Sequence, residues 1–482
     1  MYQVQCAREW AGCHFGTVEL GDARLNRRVI EVATAMADDP AGSIPQQNKN
    51  WSRTKGAYRL FDHQRATFAS ISQPHWEQTR LLAGEAAVTL FVQDTTWLAY
   101  KTHPATCGLG RYGREEGWDG LGLLEHSVLA IEPQADGSGR VLGLAWGKLW
   151  ARDQPAIGKN GKKRVARRCA VDRESTRWVE AVKEVGAPPS PGAEAGKRWV
   201  HVGDRESDLF ELYEQTQRMA GVGFVVRLTK QRNASAGHQR SVLSSPQRPK
   251  TSLKEIARSM GELGRTQLWV VPRADRPGRW AKLAISGGPV TIYSPWFGPG
   301  GSRTARPLCC WAVRVWEIDP PKGVEPIEWM LLSSEVVNGL ADALRLAGWY
   351  SLRWLIEEYH QCLKSGCKVE QRQLESADRL APLIGMLSVL ATRLLQLKND
   401  ARLTPDRPAK QCVPKEPLQT LSKLLKLPMK TMTVRRFTHE VAKLGGFLGR
   451  KSDGDPGWLT LWRGWRELNL ITVGYELGKR CG

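Results

Sequence analysis

The spacing of apolar residues predicts that the chain begins with helices. In residues 20–36 they recur every three or four positions, as on one face of an amphipathic helix, and the pattern ends at Asp38-Asp39-Pro40. A second helical segment follows, and its basic residues are Arg53, Lys55 and Arg59. By charge alone this segment fits a DNA-binding helix and a cationic packing helix equally well. We assign residues 1–70 to a helical domain.

From residue 86 the pattern changes to that of buried strands. Residues 87–93 form a nearly continuous apolar run that leads to Asp94, which predicts a central strand with an acid at its end. Two further runs, at 126–132 and 141–150, predict an antiparallel pair. A strand-like run also precedes Asp204, and a helical pattern follows it. This order of strands and helices predicts a mixed α/β sheet.

The second half of the chain divides into three regions. Residues 228–332 combine an excess of Lys and Arg with strand-like runs, so we expect a basic, β-rich insertion. Helical patterns follow, and they end the domain of residues 71–398. Residues 399–434 contain several prolines among basic residues, which is typical of a linker, and the rest of the region 399–482 is helical.

One predicted helix, residues 350–364, combines an apolar side with a polar side. Its apolar side consists of Leu352, Leu355, Ile356, Tyr359 and Leu363. At 3.6 residues per turn, the polar side chains point within about 60° of one another, and they are Tyr350, Arg353, Glu357 and Lys364. A solvated helix face is the simpler interpretation of such a pattern. Support for a functional site over a solvated face comes from other segments of the chain.

Composition indicates a polyanionic partner. The 482 residues include 70 Lys and Arg against 49 Asp and Glu, a formal net charge of +21. Such an excess raises affinity for phosphate backbones, so nucleic acid is the leading partner and an anionic membrane the weaker one. The ten cysteines lack the spacing of a metal site or disulfide framework. Without a signal peptide or an apolar run of about 18 residues, we expect a soluble cytoplasmic protein and no membrane partner.

The acids and basic residues together resemble a known family. The spacing of Tyr350, Arg353, Glu357 and Lys364, Y-x2-R-x3-E-x6-K, resembles the signature of the bacterial cut-and-paste DDE transposases found in composite kanamycin-resistance transposons, within the insertion-sequence-four superfamily. Further motifs similar to that family occur in its order: Gln93-Asp94-Thr95-Thr96, Asp204-Arg205-Glu206-Ser207-Asp208 and Phe224-Val225-Val226-Arg227. Near the end of the chain, Lys443-Leu444-Gly445-Gly446-Phe447 resembles the family's dimerisation region.

The resemblance implies a fold and a set of site residues. The fold is an RNase H-like mixed-sheet catalytic core, α/β in class, with the β-rich insertion inside it, a helical DNA-end-binding domain before it and a helical dimerisation domain after it. Asp94, Asp204 and Glu357 would be the catalytic metal ligands. The residues assigned to DNA binding are Tyr350, Arg353, Lys364, Trp329, Arg227, Arg53, Lys55 and Arg59. Trp329 stands where the family stacks a flipped base, and an ordinary buried tryptophan is the alternative.

The types of ligand indicate the cofactor and the reaction. Three carboxylates without clustered His or Cys favour Mg²⁺, with Mn²⁺ as a substitute. Two such ions about 4 Å apart activate water and stabilise the leaving oxygen of a phosphodiester. The resemblance adds a hairpin intermediate and the joining of 3′ ends to target DNA. The implied partners are double-stranded DNA, as transposon ends and target, and a second copy of the chain in a synaptic complex associated with the nucleoid.

Two other functions remain open. An RNase H-like nuclease with another role would use the same three acids. A non-catalytic DNA-binding regulator derived from a transposase would keep the basic surface without needing them, and the presence of all three acids argues against it.

Overall fold

The computed structural model describes residues 7–112, 120–152, 174–189, 196–238, 251–270, 278–294, 307–411, 413, 415–450 and 453–481. Five helices precede the first strand: α1 (Ala7–Phe15), α2 (Ala23–Asp38), α3 (Ile44–Asn48), α4 (Trp51–Phe61) and α5 (Phe68–Ala83). The Asp22 and Asn50 side chains accept hydrogen bonds from backbone N–H groups at the starts of α2 and α4, which satisfies donors that a helix leaves open. The two helices predicted in this region are confirmed.

Eleven described strands form one mixed sheet. They are β1 (Val88–Ala99), β2 (Gly110–Tyr112), β3 (Gly120–Pro133), β4 (Gly139–Trp150), β5 (Arg198–Gly203), β6 (Val222–Arg227), β7 (Ala234–Ala236), β8 (Glu262–Val270), β9 (Arg279–Ile292), β10 (Leu308–Glu317) and β11 (Glu328–Ser333). The three described helices between these strands are α6 (Thr176–Val185), α7 (Phe210–Gln217) and α8 (Leu253–Ser259). The predicted mixed α/β architecture and the antiparallel pair β3–β4 are confirmed.

The centre of the sheet is parallel and both sides of it are antiparallel. The order is β2-β3-β1-β5-β6-β11-β10-β9-β7, with β4 paired to β3 and β8 to β9. β1, β5 and β6 run parallel, whereas β3 is antiparallel to both β1 and β4. β11 pairs antiparallel with β6. The strands of the predicted insertion therefore extend the same sheet.

The prediction that the first strand ends at Asp94 is wrong, because β1 continues to Ala99. Pairing with β3 holds the strand together over this stretch, up to Ala99 opposite Gly122. Pairing with β5 ends at Val92, opposite Val202. Asp94 therefore lies just past the parallel pairing but inside the strand.

The predicted helix of residues 350–364 is interrupted. α9 (Leu340–Ser351) ends before Leu352, and α10 (Trp354–Gln361) begins after Arg353 and continues into a wider π-helical turn (Cys362–Gly366). At the start of α10, the Leu355 and Ile356 N–H groups donate to carbonyls three residues back. The helix is tighter in this turn, which changes the angle between successive side chains. The apolar side is buried as predicted.

One long helix, α11 (Ala377–Leu403), passes through the core. Among the described residues it alone is long and apolar enough to cross a membrane, and 83% of its most apolar window is buried inside the fold. This burial is consistent with the core helix of a soluble protein.

Three helices follow in the C-terminal region: α12 (Lys415–Leu424), α13 (Val434–Leu444) and α14 (Trp458–Cys481). The prediction of a linker over residues 399–434 is wrong, because α11 extends into this stretch and α12 lies within it. Leu418 and Leu421 of α12 are buried in one cluster with Phe437, Val441 and Leu468. The three-residue spacing of those leucines gives α12 an apolar face despite the neighbouring prolines.

A buried ion pair fixes the chain after β5. The Asp208 carboxylate accepts hydrogen bonds from Arg232, from the Tyr213 hydroxyl and from the backbone N–H groups of Thr229 and Lys230, at 2.6 to 2.8 Å. Burial alone would raise the pKa of Asp208, but Arg232 and the two N–H groups bring it below its usual value. This ion pair joins the segment after Asp204 to the strands beyond β6.

Arg232→Met should destabilise the protein by about 3–5 kcal/mol at neutral pH, because the Asp208 carboxylate would stay buried without its cation. The difference from the wild type should shrink at low pH, where Asp208 becomes protonated. Urea unfolding measures both effects. Arg265→Met is the matched control, because Arg265 forms an exposed pair with Glu262 and should give almost no change. Equal shifts for both variants would contradict the prediction.

Candidate active site

Asp94 and Asp204 lie on neighbouring parallel strands. The register of β1 and β5 pairs Val88 with Arg198 and Val92 with Val202. Continued by two residues, it aligns Asp94 with Asp204. Asp204 follows β5 directly, as predicted, and its Oδ1 accepts a hydrogen bond of 2.8 Å from the Glu206 N–H. The sheet therefore brings these two predicted acids to one place.

Glu357 approaches Asp94 through Arg353. The Arg353 guanidinium pairs with Glu357 one turn further along α10, and its Nη1 lies 3.8 Å from Asp94 Oδ2. On the same helix, His360 Nδ1 is 4.0 Å from that oxygen. Burial, and then the charges of Lys364 and Arg353, lower the pKa of His360 to about 3, so its ring is neutral near pH 7.

The three acids share one electrostatic environment. Burial, together with the charges of Asp204 and Glu357, raises the pKa of Asp94 to about 7, against the Thr95 N–H and Arg353, which lower it. Within the described part of the chain, no three Asp, Glu, His or Cys side chains are close enough to form a metal-binding cluster. Asp94, Asp204 and Glu357 are therefore near neighbours without forming a closed ligand shell.

The other residues predicted around this site divide into buried and accessible ones. Tyr350 was predicted on the exposed polar face, but it is only 5% exposed, because the break after α9 separates it from the face of α10. Its ring meets Trp329 edge to face at 5.5 Å, and Trp329 is partly exposed. Arg227 donates to the Glu328 carbonyl at 3.1 Å. Of these residues, Tyr350 adjoins Arg353 directly, because its carbonyl accepts a hydrogen bond of 3.1 Å from the Arg353 N–H.

The remaining predicted basic residues lie at two places. Lys364 is in the π-helical turn, partly exposed, with its Nζ 3.9 Å from Glu370 Oε1. Arg53, Lys55 and Arg59 are exposed on α4, which packs against α2, α3 and α11. The structure therefore brings Lys364 to the helix of Glu357 and leaves the three N-terminal basic residues on a separate surface.

A layer of polar side chains behind Asp94 was not predicted. Gln93 Nε2 donates to His201 Nδ1 at 2.7 Å, and His126 Nε2 donates to Gln93 Oε1 at 3.2 Å. His126 Nδ1 then accepts from the Thr95 hydroxyl at 2.8 Å, because a neutral imidazole carries one N–H. Burial lowers the pKa of both histidines. The signal in the sequence was the presence of Gln93 and His126 inside apolar strands.

Two known protein families match segments of this chain. The family described as transposase DNA-binding matches residues 7–66, the region of α1 to α4. The family described as the transposase Tn5 dimerisation domain matches residues 389–480, from the second half of α11 to α14. Both matches leave out the three acids.

A DNA-binding module followed by a dimerisation module supports a DNA transposase as the class of protein. The two matched domains support DNA binding and homodimer formation. Within that class, they indicate a Tn5-type transposase.

Asp94→Asn should raise the melting temperature of the metal-free protein by a few degrees near pH 8 and change it little near pH 4. The pKa of Asp94 in the fold, about 7, exceeds its ordinary 3.8, so the free energy of unfolding falls as the pH rises through this interval. Asparagine cannot ionise and avoids that loss. Thermal unfolding in EDTA at both pH values measures the difference. A shift of the same size at both would contradict the prediction.

Proposed function

We propose that the protein is a DDE transposase, of the type found in composite kanamycin-resistance transposons, that cuts transposon ends and joins them to target DNA. The observation that carries this proposal is the placement of the three acids: the β1–β5 register aligns Asp94 with Asp204, and Arg353 lies within ion-pair distance of both Asp94 and Glu357. Five strands have the order β4-β3-β1-β5-β6, and among them only β3 runs opposite to the other four. This arrangement supports an RNase H-like core in residues 71–398. The proposed site of action is the bacterial nucleoid.

The chemistry of the three acids suits a divalent cation, although in this structure the described residues form no metal-binding cluster. The acids supply hard oxygen donors, and their mutual repulsion favours a positive charge beside Asp94. Asp94, Asp204 and Glu357 would hold Mg²⁺, or Mn²⁺ in its place. When bound, the metal would activate water and stabilise the leaving oxygen of the phosphodiester.

The side chains around the acids would hold the DNA. Arg353 and Lys364 are partly exposed cations on the helical segment of Glu357, and they suit the phosphates on either side of the cut. Trp329 is partly exposed and has the Tyr350 ring against it, and it would stack with an unpaired base. Arg227 borders the same place. Arg53, Lys55 and Arg59 would bind the transposon end through its backbone.

The proposed reaction has three stages. Water first cleaves one strand and frees a 3′-hydroxyl. This hydroxyl then attacks the phosphodiester of the opposite strand, which closes a hairpin on the transposon end and releases the flanking DNA with a 3′-hydroxyl. In the third stage water hydrolyses the hairpin, and the freed 3′-hydroxyl attacks a phosphodiester of the target DNA and displaces a target 3′-hydroxyl. His360 is neutral near pH 7 and lies beside Asp94, so it adds no positive charge to the site.

Glu357→Gln should abolish Mg²⁺-dependent cleavage while leaving end binding intact, because it removes one carboxylate ligand and keeps the shape of the side chain. A labelled duplex carrying the inverted repeats that flank the coding region measures cleavage, and a gel shift measures binding. Glu375→Gln, at an exposed acid paired with Arg379, is the control and should cut normally.

The same assay separates the other functions. Cleavage by Glu357→Gln would overturn the proposed site. Wild-type cleavage without strand transfer from precut ends would favour a nuclease of another role. Binding without any metal-dependent cleavage would favour a DNA-binding regulator.

The dimer should form through the outer side of α14. Leu470, Val473 and Leu477 recur there at three- and four-residue spacing, and they are 60%, 52% and 55% exposed. Such an apolar stripe favours a protein partner.

Leu477→Glu should prevent dimer formation on paired DNA ends, because it buries a charge in that contact. Light scattering with end DNA measures the change. Glu476→Gln, at the neighbouring polar position, should still dimerise. A dimeric Leu477→Glu variant would place the contact elsewhere.

A further inference from the structure

Glu125 is a buried acid that no part of the proposed reaction uses. It lies within β3 and is only 1% exposed. Its Oε1 accepts hydrogen bonds from three hydroxyl groups: Tyr359 at 3.0 Å, Ser388 at 2.9 Å and Ser127 at 3.2 Å. Tyr359 belongs to α10 and Ser388 to α11. One carboxyl group therefore joins the sheet to both helices above it.

This carboxyl group lies on the face of the sheet that carries Asp94. β1 and β3 pair Thr96 with Glu125 and Asp94 with Ser127. Directly opposite residues of an antiparallel pair point to the same side, and so do residues two apart on one strand. Glu125 is thus two pairs along the ladder from Asp94, in the next pair that faces the same side.

The hydrogen bond to Tyr359 links Glu125 to the helix that carries Glu357. Tyr359 and Glu357 are two positions apart on α10, so their side chains leave the helix about 200° apart. Tyr359 is buried and Glu357 is exposed, in agreement with this geometry. A fixed Tyr359 hydroxyl therefore sets the rotation of α10 about its axis, and with it the direction in which Glu357 projects.

We infer that Glu125 is a positioning residue for the acid site: its carboxyl group holds the Tyr359 hydroxyl, and thereby holds Glu357 at a set distance and angle from Asp94. This inference rests on the proposed function, because it assigns a role toward the metal that the three acids would bind. Glu125 itself is enclosed by the sheet, α10 and α11 and acts through Tyr359.

An acid at this position is costly to the fold. Burial raises the pKa of Glu125 to about 7, against the three hydroxyl groups and the charge of Lys364, which lower it. Its second oxygen, Oε2, has no hydrogen-bond partner among the described residues. An apolar residue would fill the space without these costs. The benefit of an acid here must therefore come from its hydrogen bonds, which fix the orientation of their donors in a way that apolar packing does not.

Tyr359→Phe tests the inference, because it removes the hydroxyl group and keeps the ring. The Mg²⁺ concentration that gives half-maximal cleavage should rise about 10-fold, the size of effect typical of residues that orient metal ligands. The stabilisation of the DNA-free protein by Mg²⁺ in thermal unfolding should shift in parallel, a readout that needs no catalysis. End binding by gel shift should stay unchanged. Glu125→Gln keeps an acceptor oxygen, so its Mg²⁺ concentration for half-maximal cleavage should be close to that of the wild type.

Thr392→Val is the matched control for lost stability. The Thr392 hydroxyl is buried on α11 and donates to the Ser388 carbonyl at 3.0 Å, so its loss should lower the melting temperature without changing the Mg²⁺ requirement. If Tyr359→Phe, like Thr392→Val, lowers the melting temperature without changing the Mg²⁺ requirement, Glu125 serves stability alone. The inference is then overturned, while the proposed function stands. If the wild type responds to Mg²⁺ in neither assay, the proposed function itself fails.

Discussion

The rest of this structure depends on holding Asp94, a partly buried acid, near the like charges of Asp204 and Glu357. Asp94 loses hydration and lies in the field of Asp204 and Glu357, so its ionised form is unfavourable in the fold. Interactions elsewhere in the fold must therefore hold Asp94 in this position. The backbone does so, because β1 is paired with β5 up to Val92 and with β3 up to Ala99. Such a strand cannot move its acid without breaking a row of hydrogen bonds on one side or both.

The polar groups behind the acids add rigidity, and this contribution changes little with pH near neutrality. The chain from Thr95 through His126 and Gln93 to His201 has one consistent set of donors and acceptors. Burial keeps both rings neutral, so protonation does not reverse these donors near pH 7. Asp208 and Arg232 form a second satisfied group after Asp204. The acids are therefore set beside polar groups that are mostly paired, whereas His201 Nε2 has no hydrogen-bond partner among the described residues.

The sequence indicated the types of elements and the acids, but not how they are arranged in space. Asp94 and Asp204 were recognisable because each follows an apolar run. That β1 continues past Asp94 depends on its pairing with β3, and pairing is not local information. Tyr350 was misplaced because an ideal helical period was applied across residues 352–353, where the helix tightens. Glu125 went unnoticed because its partners Tyr359 and Ser388 lie 234 and 263 residues away. Local patterns specify elements, whereas buried polar partners are specified only by the tertiary fold.

Arg372 joins the N-terminal module to the segment that follows Lys364. Its buried guanidinium donates to the carbonyls of Pro40 and Gly42, between α2 and α3, and to the Cys367 carbonyl just beyond the π-helical turn. Burial lowers the pKa of Arg372, which shows the cost of placing a cation there, and the carbonyl oxygens offset part of it. A shift of the loop between α2 and α3 would leave this cation with the Cys367 carbonyl as its one remaining acceptor among those three. The helical module matched to transposase DNA-binding domains is thus tied, through one side chain, to the helical segment that carries Glu357 and Lys364.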